Sequence, residues 1–376
     1  MKKNLLFILG MLIALPGFAH TSSEFTYRYE GHSVNYKVNP GSRTCQTNPG
    51  LFFVENPDNP DNGIEGFIRG NLASGDLILP SHPENEYLGE VYTLTEIGEF
   101  GFCYNENLSS VYIPETVKNI GFNAFMGCSG LQKVTLPDSL ESINYTAFLD
   151  CTNLQEITLP NSLKFIGAGA FENCSSLQEI TLPDSLEEII SDTFAGCSGL
   201  TSITIPEAVT RIGWGAFSDC SGLTSITIPE AVTNISYRAF SGCSGLSTVI
   251  LPKMLETLDD SAFEECYKVR NVVYTGTNPV ECDSDVFADE VYQNATLYVP
   301  SGRIEAFRSV KPWKSFYNIT DEPYSGVENV IADFNEDAPY DVFNLNGVKV
   351  AESTDNLPTG IYIIRQGNAV KKIAVK

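Results

Sequence analysis

The sequence contains few histidines and few basic residues. Three of its 376 residues are histidine, and 23 Lys and Arg stand against 47 Asp and Glu, which gives a formal net charge of −24. Scarce histidine leaves few ligands for transition metals and few general bases near neutral pH. A strongly negative field repels phosphate backbones and anionic lipids, so nucleic acid is excluded as a partner. We predict no metal site and no cofactor.

Motifs that mark enzymes are also missing. The sequence has no glycine-rich phosphate loop, Gly-x-Ser-x-Gly, His-Glu-x-x-His or Cys-x-x-Cys. Carboxylates are abundant, and a pair of them could hydrolyse glycosides. However, Glu141, Asp184, Glu187 and Glu207 stand at variable turn positions of the repeat described below, where solvated charge is the ordinary explanation. We predict that the protein is not an enzyme, with a carbohydrate-active enzyme as the alternative.

Long apolar runs are absent except at the start of the chain. There Lys2 and Lys3 precede an apolar run over residues 5–14, and the small-residue site Gly17-Phe-Ala19 follows. This pattern predicts a Sec signal peptide over residues 1–19, cleaved after Ala19. The run is too short to span about 30 Å of hydrocarbon as a helix. We predict a secreted or cell-surface protein whose mature chain has no transmembrane segment.

What the sequence does have is a period of 23 residues. Leucine, isoleucine, proline and cysteine all recur at this spacing between about residues 91 and 270. Phenylalanine keeps it through eight units, at Phe102, Phe125, Phe148, Phe171, Phe194, Phe217, Phe240 and Phe263. One unit reads Leu-x-x-Ile-x-Ile-Pro-x-x-Leu-x-x-Ile-Gly-x-x-Ala-Phe-x-x-Cys-Ser-x. An uninterrupted period of this length is the signature of a repeat architecture.

Each unit is too short to bury its own apolar face, so it must stack on its neighbours. The segment Leu131–Leu136 carries a short strand, which Pro137 ends because proline lacks a backbone donor. Stacked strands form a parallel sheet with a step of roughly 4.8 Å. The predicted fold is therefore mostly β, a solenoid over residues 91–320 whose core is filled by Leu, Ile, Ala and Phe.

The unit resembles the BspA-type leucine-rich repeat of bacterial surface proteins. The closing segment is also similar, with the strand at 295–300, the stretch 301–310 and Trp313. The resemblance implies adhesion or binding of host proteins. It also implies that the cysteine column, which Asn105 fills in the first unit, lies at a tight inward turn.

Both flanks of the solenoid break the period. Residues 20–90 read as an N-terminal β cap, in which Asp76–Pro80 is the first half of a repeat split by an insertion. Residues 321–376 form a small C-terminal β module of two hairpins, one around Asn346-Gly347. From Pro339 onward, five basic residues stand against three acidic ones. This module resembles sorting domains of type IX secretion substrates, with a simple β cap as the alternative.

The cysteines fall into two groups. Seven occupy one column of the repeat: Cys128, Cys151, Cys174, Cys197, Cys220, Cys243 and Cys266. In such a column neighbouring Cβ vectors run parallel and do not face each other, so we predict a ladder of buried structural thiols instead of disulfides. Outside the column, a Cys45–Cys103 disulfide is compatible with an oxidising compartment.

Two columns of variable residues are candidate binding surfaces. Three residues before the repeated phenylalanine stand the aromatic pairs Phe122/Tyr145 and Trp214/Tyr237, which either form exposed contact sites or pack over coil edges. On the strand, threonine recurs at Thr135, Thr158, Thr181, Thr204 and Thr227. Since threonine favours strands, that column is explained either by a binding face or by propensity alone. The resulting prediction is a scaffold that binds an extracellular protein or glycan, with a structural envelope protein as the alternative.

Overall fold

The computed structural model describes most of the repeat region and parts of both flanks. The described residues are 24–29, 32–38, 44–47, 50–54, 65–69, 73–85, 90–282, 285–324, 341–343, 349–351, 360–366 and 369–375. The predicted signal peptide and its cleavage site at Ala19 lie outside them. The chain divides into two compact units, Met1–Asp321 and Glu322–Lys376. Within the described residues, no helix has the length and apolar character needed to cross a membrane.

The repeats form a solenoid in which each coil adds short strands to two columns. The predicted Leu-x-x-Ile strand builds the first column from β6 (Gly75–Ile78), β10 (Leu108–Tyr112), β12 (Lys133–Thr135), β14 (Glu156–Ile157), β18 (Ser225–Thr227), β20 (Thr248–Leu251), β22 (Asn271–Tyr274), β23 (Thr296–Tyr298) and β24 (Asn318–Thr320). All neighbours in this column pair in parallel, for example Val111 with Val134. The coils of Thr181 and Thr204 carry no regular strand here, so the column forms two sheets, β6-β10-β12-β14 and β18-β20-β22-β23-β24.

The second column lies at the Ile-Gly positions, where the sequence predicted only core residues. It contains β9 (Thr93–Ile97), β11 (Asn119–Ile120), β13 (Ser142–Ile143), β15 (Phe165–Ile166), β16 (Glu188–Ile189), β17 (Arg211–Ile212), β19 (Asn234–Ile235) and β21 (Thr257–Leu258). Its paired strands are parallel, at a constant offset of 23 residues, as Ile120 with Ile143. β15 and β16 do not pair, so this column also forms two sheets, one that ends at β15 and one of β16-β17-β19-β21. The fold is a mostly β, parallel-sheet solenoid, as predicted.

The N-terminal strands continue the second column. β1 (Glu24–Tyr29) and β2 (His32–Val38) form an antiparallel pair, and β3 (Thr44–Thr47) joins β2 to β9. Two further antiparallel pairs are β4 (Gly50–Val54) with β5 (Glu65–Arg69), and β7 (Glu84–Asn85) with β8 (Glu90–Val91). The pairing of β6 with β10 and of β9 with β11 confirms that Asp76–Pro80 and residues 91–97 are halves of one split repeat.

The C-terminal side of the first unit closes with short helices. They are α1 (Asp289–Asn294), α2 (Ile304–Arg308) and a 3-10 turn (Trp313–Ser315). The indole of Trp313 is fully buried, and its Nε1 donates to the Val280 carbonyl oxygen at 2.7 Å. Its ring meets those of Tyr274 and Phe307 edge to face, at centroid distances of 5.0 and 5.9 Å. The closing segment inferred from the resemblance is thus a packed aromatic cluster.

The second unit is described on its own as one antiparallel sheet. Its strands are β25 (Asp341–Phe343), β26 (Lys349–Ala351), β27 (Gly360–Gln366) and β28 (Ala369–Val375), in the order β26-β25-β27-β28. β25 pairs with β26 and β27 pairs with β28, which confirms the two predicted hairpins.

Nine phenylalanines stack along the core of the solenoid. Successive rings from Phe102 to Phe287 are nearly parallel, with centroids 5.1–5.6 Å apart and interplanar angles of 1–12°. Such pairs contribute about 0.5–1.5 kcal/mol each beyond their burial. The ninth ring, Phe287, follows Phe263 by 24 residues, so an extra residue enters the repeat there.

The backbone turns sharply on both sides of each phenylalanine. Residues two before and two after it have φ between 52° and 74° in every coil from Phe100 to Glu265. Several of these are glycine, such as Gly127 and Gly196, but most carry a side chain. A left-handed residue other than glycine costs roughly 1–2 kcal/mol. Coil stacking therefore imposes this turn even where the sequence does not favour it.

The cysteine side chains form hydrogen bonds at this turn. Each thiol is fully buried and donates to a phenylalanine carbonyl oxygen 26 residues earlier, as Cys174 Sγ does to Phe148 O at 3.3 Å. The remaining six contacts measure 3.0–3.2 Å. Burial raises the pKa of the Cys128 and Cys197 thiols to about 12. A thiol is a weak donor, and here it adds a second contact to a carbonyl oxygen that already accepts a backbone amide, as Phe148 O does from Cys151 N at 3.1 Å.

Cys45 and Cys103 are not joined in the structure by the disulfide that the sequence allowed. Both are buried, and burial raises the pKa of Cys45 to about 12. They lie in the hydrophobic interior, where a protonated thiol behaves as a small apolar group.

We predict that Ellman's reagent at about pH 8 does not label the native protein, because all ten cysteines are buried and a thiol reacts as its thiolate. Unfolding in guanidinium should release ten reactive thiols per chain. As a positive control, Ser198→Cys places a thiol at an exposed position of one coil and should add one fast-reacting group. Rapid labelling of several thiols in the folded wild-type protein would contradict the buried ladder.

Candidate functional site

The predicted aromatic column is exposed along the phenylalanine turns. Phe122, Tyr145, Trp214 and Tyr237 are 38%, 50%, 50% and 40% exposed. Each directly precedes a left-handed residue, such as Asn123 or Gly215, where the chain bends. We refer to the surface formed by these four side chains as the aromatic edge.

The members of each pair stand on adjacent coils. The amide of Asn123 donates to the carbonyl oxygen of Tyr145 at 3.2 Å, and that of Gly215 donates to Tyr237 at 3.1 Å. Partial packing also occurs in the first pair. The Phe122 ring meets Phe100 edge to face at 5.3 Å, and Tyr145 meets Phe165 in the same way at 5.8 Å. These rings are thus held in place while about half of their surface faces solvent.

Tyr237 of the second pair lines a cleft at this edge. The cleft has a volume of about 610 Å³ and is walled by Tyr237 and Tyr267. Its other lining side chains include the carboxylates Asp260, Glu264, Glu265, Asp289 and Glu290. The guanidinium of Arg238 lies 5.5 Å from the centre of the Tyr237 ring and pairs with Glu264 at 3.2 Å. Sequence reasoning missed this cleft because Phe287 and α1 follow the repeat out of register.

The threonine column is also exposed, on the first strand column. Thr135, Thr158, Thr181, Thr204 and Thr227 all face solvent. At the two ends of this column, Thr135 pairs with Tyr112 of the preceding coil and Thr227 pairs with Ile250 of the following coil. Beside them, Lys133 and Glu156 form an ion pair on adjacent coils. The depression on this face measures about 180 Å³, less than a third of the cleft at the aromatic edge.

Within the described residues, no group of three or more His, Cys, Asp or Glu side chains is arranged to hold a metal ion. The carboxylates Glu141, Asp184, Glu187 and Glu207 come from three coils, with Asp184 and Glu187 in the same one. Glu141 lies between Lys118 and Lys164 at 3.5 Å from each, and chiefly the charge of Lys164 lowers its pKa. This is an exposed ion-pair network of the kind that solvated turns carry.

Comparison with known proteins identifies the repeats. The model of the BspA type leucine-rich repeat region matches residues 95–222 and 187–302, in six copies, which together is more than half of the chain. The chain belongs to the BspA-type leucine-rich repeat family. No curated protein matches it.

Solved leucine-rich repeat structures resemble this BspA-type chain. A leucine-rich cell surface protein of Faecalibacterium prausnitzii is 22% identical, with coverage of 72% of this chain and 94% of its own, at a TM-score of 0.47. A leucine-rich repeat protein of Bacteroides ovatus is 21% identical, with coverage of 76% and 86%, at a TM-score of 0.43. A leucine-rich repeat protein of T. pallidum is 27% identical, with coverage of 58% and 87%, at a TM-score of 0.36.

Two adjacent coils of this BspA-type chain show which residues are constant and which vary. Cys197–Thr210 and Cys220–Thr233 are identical in sequence, yet the residues that follow differ, as Arg211 and Trp214 against Asn234 and Tyr237. The identical parts supply the buried Ile, Leu, Val and Cys side chains, and Trp214 and Tyr237 project from the differing parts. Repeat-family membership favours a binding or recognition scaffold, and the aromatic edge is where this chain departs from its own consensus.

We predict that Trp214 is the quenchable tryptophan of the protein. The chain has two tryptophans, and Trp313 is fully buried whereas Trp214 is half exposed. Trp214→Phe should therefore abolish the acrylamide-quenchable emission and leave the blue-shifted emission of Trp313. Unchanged quenching in this variant would contradict the exposed position of Trp214. Tyr145→Phe, at the other exposed pair, is the matched control and should leave the quenching unaltered.

Proposed function

We propose that this protein is a secreted or cell-surface scaffold that adheres to a host or matrix macromolecule, either a protein or a glycan. Binding takes place without turnover and without a cofactor. The observation that carries the proposal is the aromatic edge, in which pairs of exposed aromatic side chains interrupt an otherwise regular repeat. Tyrosine and tryptophan are enriched at binding hot spots because they bury a large area at low entropic cost.

The rigidity of the coils supports this role. The backbone around Trp214 and Tyr237 is held by amide-to-carbonyl bonds between coils, such as Phe217 to Ala239 at 2.7 Å. A surface that is already ordered loses little conformational entropy when it binds. The predicted signal peptide over residues 1–19 would deliver the chain to the outside. The sheet of β25–β28, with its basic strand Ala369–Val375, would serve as a sorting or capping module.

The double substitution Trp214→Ala plus Tyr237→Ala tests the proposal. Mature full-length protein is screened against immobilised extracellular-matrix and serum proteins and against a glycan array, and each hit is measured by surface plasmon resonance. Loss of two hot-spot rings should raise Kd by about tenfold or more, since about 1.4 kcal/mol corresponds to a factor of ten.

The matched control is Thr181→Ala plus Thr204→Ala, which alters the exposed threonine column on the strand face. Its Kd should stay within about twofold of wild type, because rim contacts away from hot spots contribute little. Equal binding by the aromatic double variant and wild type would remove the aromatic edge as the binding surface. A larger increase in Kd for the threonine variant than for the aromatic variant would indicate that the binding site is on the strand face. Absence of any hit would favour a structural envelope protein.

A further inference from the structure

The cleft beside Tyr237 lies where the repeat becomes irregular. It lies at the turns of Phe240, Phe263 and Phe287, where the spacing changes from 23 to 24 residues and α1 replaces the next coil segment. The core continues through this irregularity, since Phe263 and Phe287 stack at 5.2 Å and pair through one parallel bridge. The extra residue therefore alters the surface and leaves the core stack unbroken.

Two of the side chains that line the cleft are tyrosines. Tyr237 and Tyr267 are 40% and 49% exposed, and both line the 610 Å³ space. The face of an aromatic ring is electron-rich and attracts an ammonium or guanidinium group within about 6 Å. The structure already contains such a contact, because the guanidinium of Arg238 lies 5.5 Å from the centre of the Tyr237 ring.

The same guanidinium contacts an aromatic ring and a carboxylate at once. Arg238 Nη2 donates to Glu264 Oε2 at 3.2 Å while its carbon stands over Tyr237. Arg238 thus satisfies one carboxylate of the cleft. Glu265, Asp289 and Glu290 are exposed and form no ion pair with any of the described residues.

The electrostatic field in the cleft is negative. The pKa of the Tyr267 phenol is raised by desolvation and by the charges of Glu265, Glu290 and Glu264. A field that disfavours a phenolate favours a bound cation by the same interaction. Low-salt association with a positively charged partner is accelerated by such a field.

We propose that this cleft binds a lysine- or arginine-bearing segment of a partner protein, with the cationic side chain against Tyr267 and between the carboxylates of Glu265 and Glu290. The proposal rests on the proposed binding function and adds the chemistry of the partner. Two features beyond charge define the occupant: the cleft is large enough for several side chains, and its aromatic walls match the stem and head of arginine.

The test uses full-length mature protein and a fluorescein-labelled peptide of eight alternating arginine and glycine residues, followed by fluorescence anisotropy. Wild type should bind this peptide and should not bind the corresponding glutamate–glycine peptide. Glu265→Gln plus Glu290→Gln should raise Kd by about tenfold or more, because each lost charge weakens the pairing. Tyr267→Ala should raise Kd to a similar extent although the net charge is unchanged, whereas Tyr267→Phe should bind like wild type.

The matched control is Glu187→Gln plus Glu207→Gln, which removes the same charge from exposed positions outside the cleft. Its Kd should stay within about twofold of wild type, since separated surface charges are screened at physiological salt. An equal loss in the control, an unchanged Kd in Tyr267→Ala, or no binding by wild type would each overturn the proposal. Displacement of the peptide by stoichiometric Ca²⁺ would overturn it in favour of a cation site.

The outcome is distinguishable from that of the proposed function, because the cleft variants leave Trp214 and Tyr237 intact. Suppose that a macromolecule no longer binds the Trp214/Tyr237 double variant but binds the Glu265/Glu290 variant as tightly as wild type. That result would support the proposed scaffold function and would overturn the proposal that the cleft binds a cationic segment. The thermal midpoint of each variant should equal that of wild type, because all the substituted side chains are exposed.

Discussion

The turn around the repeated phenylalanine is the constraint on which every coil depends. Its ring stacks on the rings of the coils before and after, and its amide donates to the next coil at 2.7–2.9 Å throughout. Its carbonyl oxygen accepts a hydrogen bond from the thiol of the cysteine 26 residues later. Ring, amide and carbonyl are all engaged, so an insertion at this turn must be absorbed elsewhere. The single 24-residue interval, between Phe263 and Phe287, is accompanied by a helix and a cleft.

Because the interior of each coil is fixed in this way, variation is confined to a few outward positions. The strand positions between buried Val or Ile tolerate threonine repeatedly, and the position three before the phenylalanine accepts Glu99, Ala168, Trp214 or Asp260. The same backbone therefore presents a polar strand face and an aromatic, acidic edge. This separation of a repetitive core from a variable surface is what allows a solenoid to serve as a binding scaffold.

Much of the architecture followed from the period alone. The spacing of Phe, Leu, Ile and Cys predicted the coil, the buried columns and the thiol ladder, because stacking converts a sequence period into a spatial column. The partner of each thiol could not be predicted, since the contact between Cys174 and Phe148 depends on the turn geometry. Sequence evidence for the left-handed residues was only weak, because Asn, Asp or Gly, which tolerate positive φ, occupies only some of these positions, such as Asn123, Asp150, Asn173 and Gly196. The second strand column was missed because two-residue strands such as β11 show no alternation.

Amide hydrogen exchange measured residue by residue on the native protein tests the central role of the phenylalanine turn most directly. The amides of Phe125, Phe171 and Phe217 bond to the following coil in the same way, at 2.7–2.9 Å. They should therefore exchange slowly, at similar rates, and only through opening that also exposes their neighbours. Exchange of these amides as fast as that of the amides of the exposed turn residues Glu207 and Glu230 would contradict the account, because the turn would then not hold the coils together.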